Sequence, residues 1–162
     1  MATAADAPAI AELHLASHLV AYRGLVPDHL LDQGGLGART AHWAHAIAGG
    51  VTVFLLEDGG RLAAFCSVEP TRDPDDDPAR VAFIESLHAR PELRGRGYGT
   101  ILLGRALEWA RASGREALTL HVVEGNTPAQ RFYERHGFVA DGWRGEYATS
   151  FTHRYRISLR AP

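Results

Sequence analysis

The stretch Leu87-His88-Ala89-Arg90-Pro91-Glu92-Leu93-Arg94-Gly95-Arg96-Gly97-Tyr98-Gly99-Thr100 constrains this chain more than any other. An apolar run, Val81 to His88, feeds a turn rich in glycine and arginine, and the turn leads into a helical pattern. A strand delivered just ahead of a helix N-terminus aims unpaired N–H groups and the positive end of the helix dipole at one point. That is a phosphate cradle. Gly95, Gly97 and Gly99 let a ligand approach the backbone, while Arg94 and Arg96 add charge. The spacing is not Gly-x-Gly-x-x-Gly, and no Gly-Lys-Ser/Thr follows, so neither a dinucleotide fold nor a triphosphate loop is indicated.

The rest of the chain frames this unit. A helix runs from an Asp6 cap, with Pro8 in its first turn, toward Tyr22. Pro27 to Leu31 reads as a short helical piece broken by Gly34, Gly35 and Gly37, and a third piece spans Thr40 to Ala48. Two β-rich runs, Val51–Leu56 and Leu62–Val68, flank Asp58-Gly59-Gly60, a hairpin signal. Between Pro70 and Pro78, Asp73, Asp75, Asp76 and Asp77 read as a solvated loop, the other reading being attraction of a cationic substrate. The helix after the cradle has an apolar stripe of Ile101, Leu103, Ala106, Leu107 and Ala110 and stops at Gly114. Leu118, Leu120 and Val122 alternate as a strand. Asn126 or Thr127 caps a helix closed by Gly137, and Phe138-Val139 and Thr152 to Leu159 supply the last strands. With 162 residues and no repeat or linker, one mixed α/β layer structure follows.

Two blocks, Arg94-x-x-Gly97-x-Gly99 and Asn126-x-x-Ala129-x-x-Phe132-Tyr133-Glu134-x-x-Gly137-Phe138, each following a strand, resemble the GNAT superfamily of acetyl-CoA-dependent N-acetyltransferases. Ala21 to Pro27 is similar to the first helix and turn of many members acting on small molecules. The resemblance implies one domain over 1–162, with a mixed, mostly antiparallel sheet flanked by helices and two splayed strands holding acetyl-CoA. It implies a cofactor site of Leu87, His88, Ala89, Arg94, Gly95, Arg96, Gly97, Tyr98, Gly99, Thr100, Asn126 and Tyr133, with a bulge in the strand that meets the pantetheine arm. The family usually has a strand before its first helix; here Met1 to Ala5 leaves a stub, or the recorded start is late.

Acetyl transfer to an amine needs a polarised carbonyl, a proton for the sulfur and a base for the amine. Backbone N–H groups of Leu87 or Ala89 can polarise the carbonyl. The resemblance makes Tyr133 the acid; packing beside Phe132 and Phe138 is the alternative. Glu85 is the candidate base, or holds the substrate, or is an ion-pair partner; His88 is its rival. With strict alternation, Phe83, Glu85 and Leu87 share one strand face and Ile84, Ser86 and His88 the other. The substrate wall draws on Tyr22, Arg23 and Trp43 from the first helices and on Trp143, Glu146 and Tyr147 from the last loop, with Tyr22 and Trp43 equally readable as core.

Other chemistries have little support. The lone cysteine, Cys66, lies in an apolar strand and reads as core. All 17 basic residues are arginine, which excludes a Schiff-base lysine. His14/His18 and His42/His45 have no third ligand to place, so no metal is expected; His136 reads as a helix C-terminal residue. A formal charge of −2 gives no footprint for nucleic acid or anionic membrane. The expectation is therefore a cytoplasmic acyltransferase, monomer or homodimer, that acetylates a small-molecule amine or a peptide N-terminus in a ternary complex. A non-catalytic acyl-CoA-binding module is the alternative.

Overall fold

A computed structural model describes residues 1–31 and 34–160. Helices α1 (Ala7–Tyr22), α2 (Asp28–Leu31) and α3 (Gly35–Ala48) come first, followed by strands β1 (Thr52–Asp58), β2 (Arg61–Pro70) and β3 (Val81–Ala89). Then come α4 (Tyr98–Ala112), β4 (Ala117–Val123), α5 (Thr127–Arg135), β5 (Val139–Tyr147) and β6 (Ser150–Ser158). The strands form one sheet in the order β1-β2-β3-β4-β6-β5. Every neighbouring pair is antiparallel except β3 and β4, which the α4 crossover makes parallel.

Each face of the sheet is closed by apolar residues of different origin. Leu102, Leu103, Ala106 and Ala110 of α4 pack on Cys66, Val68, Ile84, Leu118 and Leu120, with Tyr133 and Phe138 at the margin. The opposite face, over β1 and β2, is covered by α1 and α3 through Ile10, Leu13 and Trp43 against Val53 and Phe65. Burying each of these larger side chains contributes about 1.5–3 kcal/mol. Among the described residues, no helix covers the rest of that second face, over β4, β6 and β5. The loop between β2 and β3 folds across it instead, its aspartates gripping Arg154 and Arg156.

Several local expectations shift. Asp6 stands at the N-cap position of α1 but makes no side-chain capping bond; its carboxylate accepts from Thr3 N–H at 2.7 Å and closes a short 3-10 turn ahead of the helix. Gly34 precedes α3 as its cap, and Gly35 and Gly37 lie inside that helix, which starts earlier than Thr40. Asp32 and Gln33 lie outside the described residues. Leu103, Ala106 and Ala110 of the expected α4 stripe are buried and Leu107 packs half-buried beside them, but Leu102 takes the place of Ile101, which is exposed. Where the resemblance places a first strand, the Ala2 N–H donates to Val53 O at 2.8 Å, one rung on the outer edge of β1. Among the described residues no helix is long and apolar enough to cross a membrane.

Candidate active site

The sheet opens in its middle. Parallel pairing of β3 with β4 runs from Val81–Ala117 to Ile84–Leu120 and ends there, so Glu85 to Ala89 and His121 to Val123 diverge. The cause is legible in the other neighbour of β3. Against β2, Ser67 opposes Ser86 while the next residue, Val68, opposes Ile84, which leaves Glu85 as an extra, unpaired residue. This bulge turns the strand away from β4. Its displaced rung is not left bare, because the Ser86 N–H donates to Ser67 Oγ at 3.1 Å. The N–H of Arg90 donates to Ala63 O. Since these two N–H groups point to β2, backbone alternation sends those of Leu87 and Ala89 to the open side. The bulge also reverses the parity of the faces, so Leu87 joins Ile84 on the α4 side and His88 meets Ser17 of α1. The simple alternation of Phe83, Glu85 and Leu87 is thereby corrected.

A cleft of about 740 Å³ occupies this opening, lined by Leu87, His88 and Ala89 on one wall and by Leu120, His121 and Val122 on the other. Its mouth is the start of α4. Gly95 and Gly97 have φ of 81° and 83°, the left-handed turn that lets successive N–H groups face one point, and Gly97 caps the helix. Tyr98, Gly99 and Thr100 follow as the first helical residues, and the Ile101 N–H is the first of them to find its bond, to Gly97 O. The residues present therefore fit a phosphate-bearing arm: free N–H groups at the mouth and a slot of unpaired strand backbone behind it.

The second block forms the facing side. Asn126 caps α5, its Oδ1 accepting from the Ala129 N–H at 3.4 Å, and it lines the cleft. Tyr133, two turns further on, lines the cleft and is nearly buried between Phe132 and Phe138. Burial first, then Cys66 and Tyr22, raises its pKa well above the ordinary tyrosine value. The phenol therefore keeps its proton at physiological pH.

With this geometry in view, comparison with known proteins is specific. The model of the acetyltransferase (GNAT) family matches residues 12–138. This chain belongs to the acetyltransferase (GNAT) family. The chain is 34% identical over 94 residues to the uncharacterised N-acetyltransferase MJ1207 of Methanocaldococcus jannaschii, a match covering 56% of this chain and 42% of that protein. It is 26% identical over 148 residues to the L-amino acid N-acyltransferase MnaT of Escherichia coli, covering 91% and 82%. The PaiA N-acetyltransferase of Thermoplasma acidophilum, solved in complex with coenzyme A, shares the fold with a TM-score of 0.76 at 15% identity, over 96% of each chain. The chain thus spans less than half the length of the first of these relatives, and it has the mixed sheet flanked by helices that its motifs implied.

Some side chains of this GNAT-family chain point elsewhere than the motifs suggested. Arg94 is exposed at the cleft and donates to Ser17 O and Oγ of α1, and Arg96 pairs with Asp58 at 3.1 Å, where the Tyr98 hydroxyl also donates at 2.8 Å. Both guanidinium groups brace the loop, and Arg94 also lines the cleft. Thr100 Oγ1 and His136 Nε2 lie 3.1 Å apart, while His136 Nδ1 meets Phe132 O, so His136 ties the end of α5 to the cradle. Trp43 is fully buried and spends its indole N–H on His14 Nδ1 at 3.1 Å; it is core, not substrate wall. Burial pushes the His14 pKa down to about 2. His88, the rival base, contacts Ser17 Oγ at 3.0 Å, and burial followed by nearby His18 and Arg94 pushes its pKa down to about 3, too weak to hold an amine's proton. The thiol of buried Cys66 is pushed up to about 12, which rules it out as a nucleophile.

Glu85 remains where a functional carboxylate would be. It is exposed and lines the cleft at the bulge. Tyr22 lines the cleft too, its pKa raised by burial and Tyr147 to about 12, and His18 Nε2 lies 2.9 Å from the Tyr147 hydroxyl. Trp143, Glu146 and Tyr147 belong to strand β5, not to a loop. Trp143 stacks on His121 and does not line the cleft, and Glu146 stays exposed away from it. His121 itself was not singled out by its sequence context. The alternation of Leu118, Leu120 and Val122 puts it on the opposite face, but its partner Asp73 comes from 48 residues away. No local pattern links the two.

Proposed function

We propose that the enzyme transfers the acetyl group of acetyl-CoA to a primary amine of a small molecule or a peptide N-terminus, by direct attack in a ternary complex. The observation that carries the reading is the end of β3–β4 pairing at Ile84–Leu120, which leaves strand backbone free along a cleft that starts at the α4 cradle. Membership of the acetyltransferase family and the coenzyme A bound by the Thermoplasma relative support the same donor.

In this reading the N–H groups from Gly95 to Thr100 hold the pyrophosphate, and Arg94 and Arg96 stiffen the loop that presents them. The edge of β3 pairs with the pantetheine arm as an added strand would, and Asn126 meets it from the other side. The N–H of Leu87 or Ala89 polarises the acetyl carbonyl; one aimed donor of this kind is worth about 3–4 kcal/mol in the transition state. Glu85 draws the acceptor ammonium to the bulge, where it gives up one proton to solvent and becomes the neutral, nucleophilic amine. As the amine nitrogen bonds to the carbonyl carbon, the carbon–sulfur bond breaks, Tyr133 gives its proton to the sulfur, and the amine's proton leaves to a base. Burial of Cys66 favours this direct route over an acylated cysteine.

The test is a screen of amine classes for thiol release from acetyl-CoA, with product mass measured. Acetylated product with one thiol released per acetyl group is expected. A protein that binds no coenzyme A in calorimetry, or binds it and acetylates nothing, would overturn the reading.

A further inference from the structure

We propose that His121 is the base that takes the amine's proton, held and oriented by Asp73 of the β2–β3 loop. This rests on the acyl-transfer reading above for its substrate, and on separate geometry for the dyad. Glu85 and His121 are the first residues past the last paired rung on each side of the opening, so both stand where the acceptor nitrogen must arrive. Both line the cleft.

The imidazole is fixed on three sides. Trp143 stacks on it with ring centroids 4.5 Å apart and planes 15° from parallel, and Phe83 meets it edge-on at 4.9 Å. Its Nε2 lies 3.2 Å from Asp73 Oδ2. An ionised carboxylate only accepts hydrogen bonds, so in the neutral ring Nε2 carries the proton and Nδ1 carries the lone pair. Nδ1 has no partner among the described residues and is not among the buried polar atoms left unsatisfied, so it is open to solvent or to a ligand. A base with one nitrogen tied to a carboxylate and the other free is the arrangement that activates a nucleophile in many unrelated enzymes. Glu85, by contrast, has no hydrogen-bond partner among the described residues to orient it. Its exposed charge suits attraction of the ammonium.

Asp73 is itself held. Arg154, from β6, donates to Asp73, Asp75 and Asp76 of the loop and to Asp141 of β5. The charged groups about the imidazole are therefore Asp73 from the loop, Arg154 behind it on β6, and Glu85 across the opening on β3. In the reaction, Nδ1 accepts the proton that the nitrogen sheds as the carbon–nitrogen bond forms, and Tyr133 supplies the proton that the sulfur acquires as its bond breaks. Imidazolium and phenolate then return to their starting states through solvent, with no net proton consumed. His121 is the catalytic residue in this account and Asp73 a positioning residue.

The experiment compares His121→Gln, Glu85→Gln and Asp73→Ala in pH–rate profiles, with coenzyme A affinity measured for each. His121→Gln is expected to lower kcat/KM about 100-fold and to flatten the acidic limb of the profile, with coenzyme A affinity unchanged. Glu85→Gln is expected to raise KM for the amine and keep the limb. A limb that survives in His121→Gln and disappears in Glu85→Gln would overturn the assignment, as would an unchanged rate in His121→Gln. Independently of turnover, nitrogen-15 NMR should find His121 protonated at Nε2 in the native enzyme and lose that preference in Asp73→Ala; protonation at Nδ1 would overturn the dyad. Failure of the native enzyme to acetylate any amine would instead count against acyl transfer, and the tautomer would still decide the dyad.

Discussion

Replacing Arg154 by methionine keeps most of the side chain's length and removes its charge from a site that is only 6% exposed. Arg154 donates to four carboxylates: Nε to Asp141 at 2.7 Å, and its terminal nitrogens to Asp73 at 3.2 Å, Asp75 at 2.7 Å and Asp76 at 3.1 Å. Removing one partner of a buried ion pair costs about 3–5 kcal/mol, because the other charge stays behind unpaired. Two facts pull the expectation to the low end. Asp75 is 49% exposed and water can take over its solvation, and Arg156 keeps its bonds to Asp76 and Asp141. What remains is chiefly Asp73, at 10% exposure, with His121 as its one other side-chain partner. A loss of about 3 kcal/mol is expected, which for a chain of this size lowers Tm by about 6–12 °C.

The sign with pH separates this cause from lost packing. The bond from Arg154 holds the Asp75 carboxyl below the usual aspartate range. A carboxylate with a lowered folded pKa contributes stability that is present above its unfolded pKa and lost as pH falls through its folded value. In Arg154→Met the stranded carboxylates can instead be relieved by protonation. The difference between native and variant protein should therefore shrink to less than half between pH 7.5 and pH 4.5, read by urea unfolding at fixed ionic strength. A loss below about 1 kcal/mol at pH 7.5 would refute the ion-pair account at the energies used here, as would a loss equally large at both pH values.

Three further outcomes are expected. Tyr133→Phe should lower kcat at least tenfold while coenzyme A affinity holds, measured by steady-state kinetics and calorimetry, since the phenol is the one proton donor assigned to the sulfur. Gly97→Ala should cost about 1–2 kcal/mol of stability for a left-handed alanine, with no clash in the free protein because nothing lies within 4 Å of the added carbon; coenzyme A affinity should fall more than tenfold in calorimetry as the cradle deforms. The native enzyme should lose stability as pH drops below about 6.5, because His14 and His88 have folded pKa values lowered to about 2 and about 3 and the unfolded chain binds the extra protons. At pH 5 each contributes a loss of about 2 kcal/mol, which urea unfolding of His14→Gln, flatter with pH than the native protein, would check.

The sequence by itself determined the cradle side of the cleft. Glycines at Gly95 and Gly97, the α4 pattern behind them and the Asn126 cap are local signals, each read within one turn of chain, and their chemistry is mostly backbone chemistry. The hairpin at Asp58-Gly59-Gly60 and the helix stop at Gly114 were legible for the same reason. The opposite side, around Glu85 and His121, was decided by tertiary structure. The bulge at Glu85 depends on which residue of β2 opposes it, and it reverses the face on which Leu87 and His88 lie. Trp43 looked equally like wall or core until α1 closed over it. The aspartates from Asp73 to Asp76 read as a solvated loop because their partners, Arg154 and Arg156, lie about eighty residues further on. Burying those charges is tolerable only when chain segments distant in sequence meet, and that meeting sets Asp73 against His121. A periodic pattern records which face a residue prefers, whereas charge pairing across a sheet is a property of the assembled fold.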